Sequence, residues 1–338
     1  MSNPENQTVV IADYDFDDVR IEREIVEAAG FRLTAARSKT EDEVIDVARD
    51  AAAIIAQYAP VSARVIEALD RCQVIARYGT GVDIVDVEAA TRHHILVTNV
   101  PNDWCEGEVA DHALALVLQV ARKIGVYDRA TRSGAWRWQT GRPLHRLQGQ
   151  TLALLSFGAI AQAIARRASG FGMRVIAHDP YLAPANMEEH GATPVSFDDL
   201  VAQADVLVIQ APLTPETRGS FGESVLRRMK PTSILINTAR GPIVSDRALF
   251  QALSEGWIAG AGVDDIEEEP AKVPDWRPTN PLFGLDNIVI TPHAAYYSEE
   301  SMRTVRDFAA REVVRVLTGM APLSPVNAWE LATAGSGP

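Results

Sequence analysis

The stretch Thr151 to Pro180 reads TLALLSFGAIAQAIARRASGFGMRVIAHDP. Thr151 to Leu155 is a short apolar run of the kind that is buried on both faces of a parallel sheet, and it stops at Ser156-Phe157-Gly158. From Ala159 the apolar residues Ile160, Ala163, Ile164 and Ala168 recur at helical spacing. Gly170 and Gly172 end that helix, and Met173 to Ala177 is a second buried strand. The pattern is strand, turn, helix, strand. Asp179 follows the second strand, 179 − 158 = 21 residues after the turn glycine, close to the spacing at which a carboxylate meets an adenosine ribose. A helix that starts at a glycine turn aims unpaired N–H groups and its positive dipole end at a pyrophosphate, while Asp179 can accept from both ribose hydroxyls. That combination favours NAD over NADP. The glycine motif is incomplete, because Ser156-Phe157-Gly158-Ala159-Ile160-Ala161 keeps only its middle glycine. Taken alone it also fits a plain βαβ crossover of an α/β core.

Composition narrows the classes. The chain has 338 residues, 47% hydrophobic and 23% charged, which suits a globular protein large enough for two domains. No stretch approaches the roughly 18 uninterrupted apolar residues of a membrane span, and the polar start MSNPENQ does not resemble a signal peptide, so a cytoplasmic location is expected. Cys72 and Cys105 are the only cysteines, too few for a disulfide framework and without zinc spacing; no metal is expected. A net charge of −13 argues against nucleic acid or an anionic membrane as partner and leaves small molecules.

The first hundred residues repeat strand and helix. Strands are expected at Thr8 to Ala12, Phe31 to Ala35, Ala52 to Gln57, Gln73 to Arg77 and Ile95 to Asn99. Helices are expected at Asp17 to Ala29, from the capping box Thr40-Glu41-Asp42-Glu43 to Ala48, from Ser62 to Leu69, and at Val87 to Arg92. Such alternation implies a parallel sheet with helices on both faces and ligand loops at the carboxyl ends of its strands. One of those loops is Tyr78-Gly79-Thr80-Gly81-Val82-Asp83, whose glycines let backbone amides approach an anion, or simply make a tight turn. Glu108 to Ile124 is a long apolar helix placed to link two domains. The loop Ser133 to Gly149, with Trp136 and Trp138, covers something or meets a second subunit.

Past Pro180, strands at Val206 to Gln210, Ser233 to Asn237, Ile258 to Val263 and Ile288 to Thr291 each deliver a polar or turn-forming group at the carboxyl end. The last helix starts at Ser298 and stops at Gly319. Arg240 alone reads as a surface ion pair, the acidic run Glu267-Glu268-Glu269 as a solvated loop, and His293 as a structural histidine. Together they carry more. Reduction of a keto acid by NADH needs a cation to hold the carboxylate and polarise the carbonyl, a proton donor for the nascent alkoxide, and a carboxylate to keep that donor charged. Arginine, histidine and glutamate cover the three tasks.

Five segments, RYGTGVD (Arg77 to Asp83), APLTPETRG (Ala211 to Gly219), NTARGPIV (Asn237 to Val244), DDIEEEP (Asp264 to Pro270) and TPHAA (Thr291 to Ala295), make the chain resemble the D-isomer-specific 2-hydroxyacid dehydrogenases over roughly Val9 to Val326. HDPYL, GRPLHRL and HAAYYS are most similar to the C-terminal-binding-protein branch and its bacterial, D-3-phosphoglycerate dehydrogenase-like relatives. The resemblance implies two doubly wound parallel-sheet α/β domains: a Rossmann NAD-binding domain, residues 104–296, inserted into a flavodoxin-like substrate domain, residues 1–103 with 297–330. Residues 331–338 are expected to be a disordered tail. It implies Arg240, Glu269 and His293 as catalytic residues. It places Phe157, Gly158, Ala159, Ile160, Asp179, Pro212, Thr217, Thr238, Ala239, Asp264, His293 and Ala295 on the cofactor, with Tyr78, Gly79, Thr80, Gly81, Arg240 and Tyr296 on the substrate. A hinged cleft and a homodimer formed through the cofactor domain are implied too.

The chain departs from the family at Ala153, Ser156 and Ala161, where glycines are usual, at Pro242, where a second glycine is common, and at Asp265, which stands where the family carries an apolar residue. Ser156 bears on the tight turn, either straining it or offering a hydroxyl to a phosphate. The reading is an NAD-dependent oxidoreductase of the CH–OH group acting on a small 2-keto or 2-hydroxy acid. The alternative is an NAD(H)-binding regulatory or scaffold protein with vestigial catalysis. The sequence does not choose the substrate or the direction.

Overall fold

The apolar runs become strands of two all-parallel sheets in a computed structural model of the chain, which describes residues 7–101, 104–269, 273 and 276–328. The chain forms two compact units, one from residues up to Trp104, residues 270–274 and Ser298 onward, the other from Cys105 to Glu269 and residues 275–297. The expected tail, residues 331–338, lies outside the described residues.

In the first unit the elements run β1 (Thr8–Ile11), α1 (Arg20–Ala28), β2 (Arg32–Ala35), α2 (Glu41–Ala48), β3 (Ala53–Ala56), α3 (Ala63–Glu67), β4 (Val74–Arg77), α4 (Val87–Arg92) and β5 (Leu96–Thr98). The sheet order is β2-β1-β3-β4-β5. Every residue of β3 and β4 is buried, as strands covered on both faces must be. The Thr40 capping box forms as expected, with Glu43 reaching back to the Thr40 N–H. Ser62 stands at the N-cap of α3 but makes no cap bond, and that helix ends at Glu67 instead of Leu69.

The second unit runs α5 (Glu106–Ala121), α6 (Ile124–Arg132), β6 (Thr151–Leu155), α7 (Ala159–Ser169), β7 (Arg174–His178), α8 (Pro184–Glu189), β8 (Thr193–Pro194), α9 (Phe197–Gln203), β9 (Val206–Ile209), α10 (Glu223–Leu226), β10 (Ile234–Asn237), α11 (Asp246–Ser254), β11 (Gly260–Val263) and β12 (Ile288–Ile290). Its order, β12-β11-β10-β9-β6-β7-β8, has the chain step outward from β6 in one direction and restart at β9 on the other side. The loops after β6 and β9 therefore flank the topological switch point, where ligands of open α/β sheets bind. The expected helix Glu108 to Ile124 is two helices, broken where Lys123 takes a left-handed φ of 51°. α5 packs on α7 and on β10 and β11, within this unit. α6, α8 and α11 were not expected from the sequence; the last is capped by the Ser245 hydroxyl on the Ala248 N–H. Among the described residues no helix is long and apolar enough to cross a membrane.

The last helix, α12 (Glu299–Leu317), returns to the first unit. Val305, Ala309, Ala310 and Val313 face a core that includes Val9, Ile11, Val26 and Ile55. Each such valine contributes about 1.5–3 kcal/mol by leaving water. The same helix carries Arg306, whose guanidinium grips both oxygens of Glu22 at 2.7 and 2.8 Å. Glu22 is fully buried and also accepts from the Tyr78 hydroxyl at 3.0 Å. Burial, and then the Glu22 charge, push the Tyr78 hydroxyl well above its usual range, so it remains a donor.

Removing one partner of a buried ion pair strands the other charge, at a cost of about 3–5 kcal/mol, whereas replacing both by apolar groups is often neutral. Arg306→Ala is therefore expected to lower the thermal midpoint by roughly 10 °C. The double variant Glu22→Leu/Arg306→Met is expected to recover most of it. A single variant that melts with the parent protein would show that the triad contributes nothing to stability.

Candidate functional site

Loops at the carboxyl ends of strands in the second unit carry its polar residues. After β11, Asp264 is 3% exposed, and its carboxylate accepts the Ala294 N–H at 2.9 Å, the Ala295 N–H at 2.8 Å and the Thr291 hydroxyl at 2.6 Å. Those three donors belong to the loop after β12, so Asp264 sets the shape of the segment that bears His293. His293 takes a left-handed φ of 52° there, and its N–H donates to the carbonyls of Asp264 and Thr291. Its Nδ1 lies 2.5 Å from Glu269 Oε1, and Glu269 is buried. A buried carboxylate on Nδ1 fixes the ring's orientation and which nitrogen faces the site. The Tyr296 and His293 rings pack nearly perpendicular, centroids 5.8 Å apart. Ala295 is buried.

At the end of β10, Asn237 accepts the Ala239 N–H and donates to the Arg240 carbonyl, tying Thr238-Ala239-Arg240 into a turn. Arg240 is half-buried, with Nη1 on the Ala239 carbonyl at 2.8 Å. The next residue must be glycine, since a Cβ on Gly241 would fall 2.0 Å from the Ile266 carbonyl oxygen. The Thr238 hydroxyl accepts from Gln210, after β9. In the same loop the Thr217 hydroxyl donates to the Pro212 carbonyl at 2.7 Å and accepts the Thr214 N–H. Its side chain closes the turn, so a ligand meets this loop through its backbone and surface.

In the turn after β6, Phe157 is fully buried in the core and offers only its backbone. Its N–H reaches Asp179 Oδ2 at 2.9 Å, and the Ser156 hydroxyl reaches the same oxygen at 3.1 Å. The Tyr181 N–H donates to the other oxygen at 2.9 Å. Ser156 has a φ of 70°, the left-handed conformation for which glycine is the usual choice. No side chain caps α7, and a Cβ on Gly158 would meet nothing within 4 Å.

In the first unit, the Gly79, Thr80 and Gly81 carbonyls accept from the Val100 N–H, the Asn99 amide and Arg77 Nε. In a trans peptide the N–H points opposite to the preceding C=O, so the Thr80 and Gly81 amides face away from these anchors. The Thr80 hydroxyl is engaged by Val100 and Trp104. Tyr78, expected on the substrate, instead turns its side chain into the core towards Glu22. Behind the loop, Asp13 accepts the Gln57 and Tyr58 amides, while burial pushes its carboxyl up.

His112 and Gln210 were not singled out in the sequence. His112 meets Thr291 Oγ1 at 3.0 Å and Asp264 at 3.5 Å, and a lone histidine in an apolar helix gives no advance sign of that. Burial pushes the Cys72 thiol up to about 12, and burial with Glu108 does the same for Cys105, consistent with packed thiols.

Residues 114–295 match the model of the D-isomer-specific 2-hydroxyacid dehydrogenase NAD-binding domain. A glyoxylate reductase of Korarchaeum cryptofilum is 38% identical over 84% of this chain and 85% of its own length. The D-3-phosphoglycerate dehydrogenase of Archaeoglobus fulgidus is 34% identical over 88% of this chain and 55% of its own. The crystal structure of a glyoxylate reductase from Paecilomyes thermophila superposes with a TM-score of 0.84 at 28% identity, covering 95% of this chain and 98% of that one. The chain belongs to the D-isomer-specific 2-hydroxyacid dehydrogenase family. It is an NAD-dependent oxidoreductase of 2-hydroxy and 2-keto acids, and the regulatory alternative is not favoured.

The turn fits NAD. The α7 N-terminus is uncapped, the space before Gly158 is open, and Asp179 stands at the end of the neighbouring strand. A dehydrogenase of this family thus holds the pyrophosphate by backbone amides and the ribose by a carboxylate. Here three donors already occupy a carboxylate with about four acceptor sites. The Ser156 hydroxyl is directed at Asp179, so it would compete with a ribose hydroxyl bound there. Ser156→Gly frees an acceptor site and removes the left-handed strain. The expected outcome in calorimetric titration is NADH binding tighter by on the order of 10-fold, about 1.4 kcal/mol. Weaker binding would make the serine a cofactor ligand.

Proposed function

We propose that this dehydrogenase reduces a small 2-keto acid of the glyoxylate class with NADH, and that Arg240, His293 and Glu269 perform the protein's part. The observation that carries this reading is the 2.5 Å contact between His293 Nδ1 and buried Glu269. It is the arrangement that keeps an imidazole charged and oriented as a proton donor. Bound NADH supplies the hydride to the carbonyl carbon. Arg240 binds the substrate carboxylate and polarises the carbonyl. His293 Nε2 hands its proton to the oxygen as charge develops on it, while Glu269 stabilises the imidazolium before transfer. In the oxidative direction His293 takes that proton back. The Thr80 and Gly81 amides bind a carboxylate in the first, substrate-binding unit. Further parts of this reading are a cytoplasmic homodimer, checked by sedimentation, and no nucleic-acid partner.

One screen tests substrate and cofactor together: steady-state rates with NADH and NADPH against glyoxylate, hydroxypyruvate, pyruvate, phosphohydroxypyruvate and bulky aryl keto acids. Glyoxylate or hydroxypyruvate with NADH is expected to give the highest kcat/KM. Asp179 repels a 2′-phosphate, and no arginine follows it directly. Two like charges about 4 Å apart cost roughly 1 kcal/mol in water and about 4 near a protein surface, enough for a tenfold preference for NADH. Turnover confined to bulky acids, or equal use of NADPH, would overturn this assignment.

The trio is separable. His293→Ala is expected to lower kcat roughly 100-fold or more, and Arg240→Ala also to raise KM. Glu269→Gln removes the charge that favours the imidazolium, so the high-pH fall of the reduction rate is expected at lower pH. An unmoved profile would remove Glu269 from this role.

A further inference from the structure

Asp265, which stands where the family pattern has an apolar residue, lies beside the His293–Glu269 pair as a second buried carboxylate. It is 7% exposed. One oxygen of Asp265, one of Glu269 and an imidazole nitrogen of His293 lie within 4.8 Å of one another. Its two oxygens accept backbone amides on opposite sides: Oδ2 from Gly241, the residue after Arg240, at 3.1 Å, and Oδ1 from Ile266 at 2.8 Å. Gly241 and Ile266 are also in direct backbone apposition, so the Asp265 side chain joins two segments that cannot move apart independently.

We infer that Asp265 is a positioning residue for the proposed acid/base pair, a charge added in this chain that extends the working range of His293 to higher pH. The inference rests on the role proposed for His293. A carboxylate accepting two amide N–H groups is favoured in its ionised form, and a negative charge at this range favours the imidazolium over the neutral ring. Glu269 alone would supply one such charge, and Asp265 supplies a second. A residue of apolar type at this position supplies none. The other ionisable groups about His293 leave that comparison intact. The Asp264 carboxylate is held by Ala294, Ala295 and Thr291; His112 lies on Thr291. Tyr296 packs its ring nearly perpendicular, and Arg240, on the loop after β10, points Nη1 at its neighbour's carbonyl. All of these are unchanged by substitution at 265.

The competing arrangement is that Asp265 and Glu269 share one proton, as two carboxylates at short range do, so that the pair carries a single charge whether or not Asp265 is present. The two cases differ in one measurement. Asp265→Asn keeps the shape and one acceptor while removing the charge; Asp265→Leu restores the apolar type. For each, the rate of keto-acid reduction with NADH is followed from pH 5 to 10 and normalised to its own maximum, so that the profile does not depend on the fraction of active protein.

The high-pH limb is expected to shift down by about one pH unit in Asp265→Asn, with the matching limb of the oxidation reaction moving equally. A limb that stays within 0.2 pH units of about its original place, with a two-state melting curve showing a folded variant, overturns the inference and indicates the shared proton. Should the asparagine variant fail to fold, the leucine variant is judged by the same criterion. If the unsubstituted protein turns over no keto acid with NADH, the proposed function fails instead, and the two failures are thereby told apart.

Discussion

The Asp264 carboxylate is the contact on which the proposed catalytic loop depends. It is almost without solvent, and it gathers two consecutive amides and a hydroxyl from the segment after β12. A buried charge needs such donors; without them its desolvation would cost several kcal/mol. The segment pays by adopting a backbone that a non-glycine residue seldom takes, at His293. What results is an imidazole aimed at Glu269 from a loop that has few other ways to fold. The proposed chemistry is therefore held by a residue that need not take part in it.

The same logic recurs across the second unit. Parallel strands end in loops whose backbone groups have no ladder partner, and side chains with fixed polar atoms take over: Asn237 at the end of β10, Thr217 after β9, Asp179 after β7. Each stabilises one turn, and each leaves a defined stretch of amides or a charged group at the switch point. In the first unit Arg77, Asn99 and the Val100 amide do this for the Gly79 to Gly81 loop, by claiming its carbonyls.

Much of this was legible in the residues. The βαβ pattern of Thr151 to Pro180, the capping box at Thr40 and the start of α12 at Ser298 follow local rules, and local rules are what a sequence displays. The approach of Glu269 to His293 was legible because a carboxylate and an imidazole are chemically complementary. The break at Lys123 was not, since lysine carries no stop signal and the apolar pattern runs through it. The direction of the Tyr78 side chain was not legible, because its partner Glu22 is 56 residues away and the cation that pairs with Glu22 is 284 residues from it. Ser156 looked like a strained turn or a phosphate ligand; the fold directs its hydroxyl at Asp179. Asp265 was visible as an odd residue, but its proximity to His293 needed three loops in place.

The two buried thiols make the protein unusually convenient to instrument. Burial pushes both thiols up, which disfavours the thiolate, and the thiolate is the reactive species. A cysteine introduced at a solvent-facing position such as Tyr181, 92% exposed, would ionise orders of magnitude more readily and react almost alone with a maleimide. Spectroscopic probes can thus be attached singly to an otherwise native chain, next to the Asp179 carboxylate at the end of β7, where the proposed cofactor site would place the ribose.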